Sequence, residues 1–190
     1  MNKMLCFVSD EMADFEVTLV LHKLKTIGHK QIITVGYDLT PVVSESGLTY
    51  LPQRTIRQVL DLPGVEGLII PGGPIRSQRH ELTELILRLH TEKKLLAAIC
   101  NGPQYLGRAG ILDTHRYTTS CSADKIKSLQ VPDPFPRNNY VEERVVQDGH
   151  VITAKGRAFV DFSFAIFEYL DVYSSENDEQ EGLYNDIMDR

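Results

Sequence analysis

Leu95-Leu96-Ala97-Ala98-Ile99-Cys100-Asn101-Gly102-Pro103 runs an apolar strand straight into a turn. Five successive residues without a polar side chain leave no wet face, which suits a strand at the centre of a sheet covered on both sides. Proline fixes φ at a value that suits the first position of a helix, so a helix is predicted from Pro103 to about Ala109. Between strand and helix stands Cys100, with Gly102 two places on. That is the pattern of a nucleophile elbow, with cysteine in place of serine and Ala98 in place of the first glycine. The sharp turn pushes the thiol into a cleft, where a helix N-terminus favours the thiolate and the Asn101 N–H can meet a developing oxyanion.

Reading outward, the same alternation of strand and helix recurs. Residues 4–8, 31–35 and 67–70 are short apolar strands. Phe15, Leu19, Leu21, Leu24 and Ile27 recur at roughly helical spacing before Gly28, and Leu82, Leu85, Ile86 and Leu89 mark a helix over residues 81–90. Hairpins are predicted around Ser46-Gly47 and Asp148-Gly149, a strand at Tyr117-Thr118-Thr119, and helices over residues 123–129 and 159–170. Apolar strands alternating with helices describe an α/β, three-layer sandwich with a mainly parallel sheet.

The composition narrows the function. Of 190 residues, 42% are hydrophobic and 24% charged, which suits a globular chain. The formal charge is −6, whereas a nucleic-acid binder needs a basic face, so no nucleic-acid partner is expected. Residues 174–190 hold six acids and one arginine, a net −5, leaving −1 for the rest. The chain therefore reads as a nearly neutral domain over residues 1–173, followed by an acidic tail (174–190), solvated or partly ordered. No apolar run approaches the roughly 20 residues that cross a bilayer, and the first residues are too short and too soon interrupted to form a signal peptide. Three widely spaced cysteines, Cys6, Cys100 and Cys121, suit thiols in the cytoplasm rather than a disulfide scaffold. No histidine stands at metal-ligand spacing from another histidine or cysteine, so neither metal nor cofactor is expected.

In an open parallel sheet, ligands bind at the carboxyl ends of the strands. Three such places carry suggestive residues: Glu16 beyond the first strand, with Glu11 and Asp14 as rivals; the glycine pair Gly72-Gly73; and Cys100 with Asn101. Two glycines let backbone amides approach an anion closely. A carboxyl beside a thiol acts as general base when ionised and as hydrogen-bond donor when protonated.

Together the Asp14-Phe15-Glu16 context, G-L-I-I-P-G-G over residues 67–73, A-A-I-C-N-G-P-Q-Y-L over residues 97–106 and V-I-T-A-K-G over residues 151–156 resemble the ThiJ/PfpI superfamily. The resemblance implies the flavodoxin-like fold of class I glutamine amidotransferases and a homodimer. It also implies that Cys100 is the reactive cysteine, Glu16 the acid that contacts it, and Gly72 and Gly73 the oxyanion side. Members are described as glyoxalases, deglycases, chaperones, oxidative-stress sensors and peptidases. Two departures bear on mechanism. Asn101 stands where PfpI-type peptidases have histidine, and Ser120 and Cys121 follow the Thr118-Thr119 pair where another branch has one. His115 is the nearby candidate to compensate. Cys121 is a candidate to resolve an oxidised Cys100, although strand alternation points it away. The expected activity is thiol attack on a small carbonyl or acyl substrate. A non-catalytic oxidative-stress sensor or ligand-binding module using the same cysteine is the alternative, and a PfpI-type peptidase or amidotransferase-like activity the weaker one.

Overall fold

The computed structural model describes residues 2–173 and 177–188. Its main sheet contains β1 (Lys3–Phe7), β2 (Gln31–Gly36), β5 (Arg54–Thr55), β6 (Val65–Ile70), β7 (Leu95–Ile99), β8 (Val145–Asp148) and β9 (Val151–Ala154), in the order β5-β2-β1-β6-β7-β9-β8. All neighbours are parallel except β8 and β9, which form an antiparallel hairpin at one edge. A separate small hairpin pairs β3 (Val42–Val43) with β4 (Thr49–Tyr50). The fold is α/β, as the alternating elements predicted, and flavodoxin-like, as the resemblance implied.

Strand alternation builds two cores from one sheet. Ile33, Leu5, Leu68, Leu96 and Val151 are register partners across five strands and face one layer. That layer is closed by α2 (Ile56–Val59), α3 (His80–Thr91), α4 (Pro103–Arg108) and α5 (Ala123–Leu129). The next rung, Cys6, Ile69, Ala97 and Ile152, faces the opposite layer, closed by α1 (Phe15–Thr26) and α6 (Phe159–Tyr169). Each fully buried Leu, Ile or Phe side chain adds about 1.5–3 kcal/mol of transfer free energy.

Three local readings change. In α1, Val17, Val20 and Leu24 are the buried face together with Glu16, whereas Phe15 is 49% exposed and Ile27 also lies outward. Residues 17, 20 and 24 share a face at helical spacing, and Phe15 instead meets Phe159 edge-to-face at 5.6 Å. Tyr117-Thr118-Thr119 forms only a single bridge, Tyr117 to Tyr140. Its threonines serve cross-ties instead: Thr118 N–H donates to Thr153 Oγ1 at 2.9 Å and Thr118 Oγ1 donates to the Glu143 carbonyl at 2.8 Å. Within the segment read as a tail, α7 (Asn177–Met188) is a helix. Tyr184 seats it on α6, with its ring against Phe164 at 5.0 Å and its hydroxyl donating to Asp161 Oδ1 at 2.8 Å. Among the described residues, no helix is long and apolar enough to cross a membrane.

Candidate active site

The strand order reverses between β1 and β6, and there four chain segments meet at the strands' carboxyl ends. Glu16 enters on the first turn of α1, Gly72 and Gly73 follow β6, Cys100 ends β7, and Gly156 follows β9. Cys100 has φ +61°, a left-handed conformation that costs a non-glycine residue on the order of 1–3 kcal/mol. Its surroundings hold it there: its N–H donates to the Ala154 carbonyl at 2.8 Å, and its carbonyl accepts from Ser120 N–H at 3.0 Å and Thr119 Oγ1 at 2.6 Å. The elbow predicted from the sequence is formed.

Glu16 is 2% exposed and its Oε2 accepts the Gly72 N–H at 2.7 Å. The same carboxyl is hydrogen-bonded to the Cys100 thiol, which also meets the Ser120 hydroxyl and the Asn101 N–H. Burial, and then the charge of Glu16, push the Cys100 thiol up to about 12, outweighing the donors Ser120 and Asn101. Burial likewise raises Glu16, against the hydrogen bonds from Gly72 and Cys100 and with help from Glu45. Two adjacent buried groups of the same charge do not both ionise, so at least one proton stays on the pair. The helix-end preference for a thiolate is therefore overruled while Glu16 is charged.

Two glycines make room for this pair. A Cβ on Gly72 would sit 2.6 Å from Glu16 Oε2 and 2.7 Å from Cys100 Cβ, and one on Gly156 would sit 2.6 Å from Glu16 Oε1 and 3.0 Å from Cys100 Sγ. Gly72 thus spends its amide on Glu16 rather than on an oxyanion, while Gly73 faces the cleft. Asn101, standing where a histidine was a family option, donates from Nδ2 to the Gly73 carbonyl at 2.8 Å and ties the elbow to the glycine loop.

Above the pair opens a cavity of about 680 Å³ that reaches Cys100, Glu16, Asn101, Ser120 and Arg157. The β3–β4 hairpin forms part of its wall. Asp14 anchors that hairpin, accepting from Ser46 Oγ at 2.6 Å, Tyr50 Oη at 2.9 Å and Ser44 Oγ at 3.0 Å. Burial opposes its charge, yet the three hydroxyls hold its carboxyl below the usual range. Glu11 lines the cavity rim, leaving Glu16 as the acid in contact with the thiol.

No histidine lines the cavity among the described residues. His115 packs instead against the rings of His90 and His150. The His150 carbonyl accepts Leu96 N–H at the start of β7, whereas Cys100 lies beyond its end, about 13 Å along an extended strand. Cys121 is buried in the core on the opposite face of the sheet, away from the cavity. Ser120 is in place, accepting Gly156 N–H at 2.9 Å. Gly156 is a site residue the sequence alone does not single out, although it stands two positions past the end of an apolar strand as Gly72 does. The meeting of three histidines is not singled out either, because no spacing along the chain announces it.

The chain matches the DJ-1/PfpI family over residues 2–169. It belongs to the DJ-1/PfpI family. A relative named isonitrile hydratase, from Pseudomonas putida, is 29% identical over 152 residues, which cover 77% of this chain and 62% of that protein. The chain thus spans less than two thirds of that relative's length. Deglycase PfpI from Pyrococcus furiosus is 26% identical over 157 residues, covering 80% of this chain and 89% of its own. The solved DJ-1 superfamily protein Atu0886 from Agrobacterium tumefaciens superimposes with a TM-score of 0.81 at 25% identity, covering 97% of this chain and 98% of that one.

Proposed function

We propose that this chain is a cysteine-dependent enzyme acting on small carbonyl or acyl compounds, with reactive 2-oxoaldehydes or their adducts as the substrate class. One observation carries the reading: the Cys100 thiol and the Glu16 carboxyl meet at a cavity of about 680 Å³ whose lining, among the described residues, holds no histidine. Glu16 takes the thiol proton as the sulfur bonds to the carbonyl carbon, and the carbonyl electron pair moves onto oxygen. Gly73 and Asn101 amides face that oxygen, and Glu16 returns the proton to give a hemithioacetal. With a 2-oxoaldehyde, Glu16 then moves the proton from the former aldehyde carbon to its neighbour, while the hemithioacetal hydroxyl proton passes to the neighbouring carbonyl oxygen. The product is a thioester, which water hydrolyses to a 2-hydroxy acid and the free thiol. Every proton passes through one carboxyl, so no imidazole is required. A Cys-His peptidase mechanism needs an imidazole beside the thiol, and Asn101 stands in that place.

The working unit is read as a homodimer in the cytoplasm, in keeping with three free thiols. A second reading rests on the donors around the sulfur. The Asn101 N–H, the Ser120 hydroxyl and a protonated Glu16 would also hold an oxidised sulfur, as in a stress sensor. Cys100→Ala separates these from a passive fold. Methylglyoxal consumption should vanish in a variant that melts like the parent, and full activity there would remove the enzymatic reading. Mild peroxide should add oxygen at Cys100 before Cys6 or Cys121 if the sensor reading holds, whereas equal oxidation of all three counts against it.

A further inference from the structure

At the amino-terminal end of the sheet, opposite Cys100, three histidines from three separate segments converge. His90 lies in the last turn of α3, His115 in the loop after α4, and His150 at the turn into β9. His150 Nε2 and His90 Nδ1 are 2.9 Å apart, and one ring nitrogen from each histidine lies within 4.8 Å of the others. Among the described residues this is the one place where three or more metal-ligating side chains gather so closely. The rings contact one another with centroids 4.8, 5.4 and 5.5 Å apart. His150 is 6% exposed, and the buried Nδ1 of His115 has no hydrogen-bond partner. Asp148 Oδ2 lies 3.5 Å from that nitrogen while accepting the Arg116 N–H at 2.8 Å.

We propose that His90, His115 and His150, with the Asp148 carboxylate beside them, bind one divalent transition-metal ion of the zinc type at a site separate from the Cys100 cavity. Imidazoles suit zinc and its neighbours, and three protein nitrogens with an open fourth position is a recurrent arrangement for such ions. Zinc–nitrogen bonds of about 2.0–2.1 Å put tetrahedral ligands about 3.3 Å apart, inside the 2.9–4.8 Å range found here. Ring rotations of an ångström or so would seat the ion. An ion requires neutral rings, so its binding competes with protons. Lys93 nearby opposes a bound cation, and the Asp148 carboxylate offsets it. The ion would join the end of α3, the loop at residue 115 and the β8–β9 turn.

The test is calorimetric titration of the full chain with Zn²⁺ at neutral pH, with Co²⁺ as the spectroscopic probe. One ion should bind per chain, and Co²⁺ should show visible d–d bands without a thiolate-to-cobalt charge-transfer band. His90→Gln and His115→Gln should each weaken binding about 100-fold or more. Cys100→Ser should leave it within twofold. The absence of stoichiometric binding would refute the site, as would a thiolate charge-transfer band. Loss of binding in Cys100→Ser with retention in His90→Gln would do the same. Because the cobalt spectrum is read on the unaltered chain, misfolding of a variant cannot mask the answer. Failure here leaves the Cys100 chemistry untouched.

Discussion

Replacing Gly156 with alanine puts a methyl group where Glu16 and Cys100 already stand. The new Cβ would lie 2.6 Å from Glu16 Oε1, and since ordinary contact begins at 3.4 Å, the overlap is 3.4 less 2.6, or 0.8 Å. Cys100 Sγ at 3.0 Å and Cys100 Cβ at 3.1 Å block retreat on the other side. The elbow backbone is pinned by Ala154, Ser120 and Thr119, so the carboxyl and thiol must give way. Overpacking of this kind costs about 1–3 kcal/mol. At about 2–4 °C per kcal/mol for a chain of this size, Tm should fall by about 2–12 °C. The chemistry should suffer more, because a misplacement near 1 Å costs about 100-fold in rate. The assays are methylglyoxal turnover, iodoacetamide alkylation of Cys100 followed by mass spectrometry, and thermal melting. Gly110→Ala is the control: it strains a φ of +76° where the nearest atom to a new Cβ is Asp113 Oδ2 at 3.6 Å, outside the cavity. That variant should melt lower with turnover unchanged. A folded Gly156→Ala protein whose turnover and alkylation both stay within twofold of the parent would refute the claim that Gly156 sets the geometry of the pair.

Two further expectations concern the supports of the site. Asp14 is held below its unfolded carboxylate value, so its contribution is present above that value and is lost as pH falls through the folded one. The Tm of the parent should therefore decline in acid more steeply than that of Asp14→Asn, and equal slopes below pH 4 or so would show that the three hydroxyls do not stabilise the charge. Tyr184→Ala removes both the ring contact with Phe164 and the bond to Asp161. Limited proteolysis should then cut within residues 177–188 faster than in the parent, with the body of the chain intact, while an unchanged cleavage rate would show that Tyr184 does not seat α7.

Much of the site was legible because turns advertise themselves locally. A strand of five apolar residues ending in cysteine and glycine has few ways to continue, and Cys100 at φ +61° is the outcome. Gly72 and Gly73 after β6 and Glu16 after β1 were readable for the same reason. The capping pair Thr55 and Gln58, which starts α2, was equally local and went unread. On α1, Leu24 is buried as its spacing predicts, but Phe15 and Ile27 only look like core residues in one dimension, and the helix turns Val17 and Val20 inward instead.

Local sequence dictates the alternation of strands and helices, the two-sided burial of the sheet and the elbow turn at Cys100, since each follows from neighbours within a few residues. Only the tertiary structure decided strand order, and with it which loops share a crevice. It set Gly156 against Glu16, tied Asn101 to Gly73, turned Cys121 into the far core, and carried His115 to the opposite end of the sheet beside His90 and His150. The physical reason is that these encounters join residues tens of positions apart. Their meeting is fixed by the packing of two layers on one sheet and leaves no periodic or local trace in the chain.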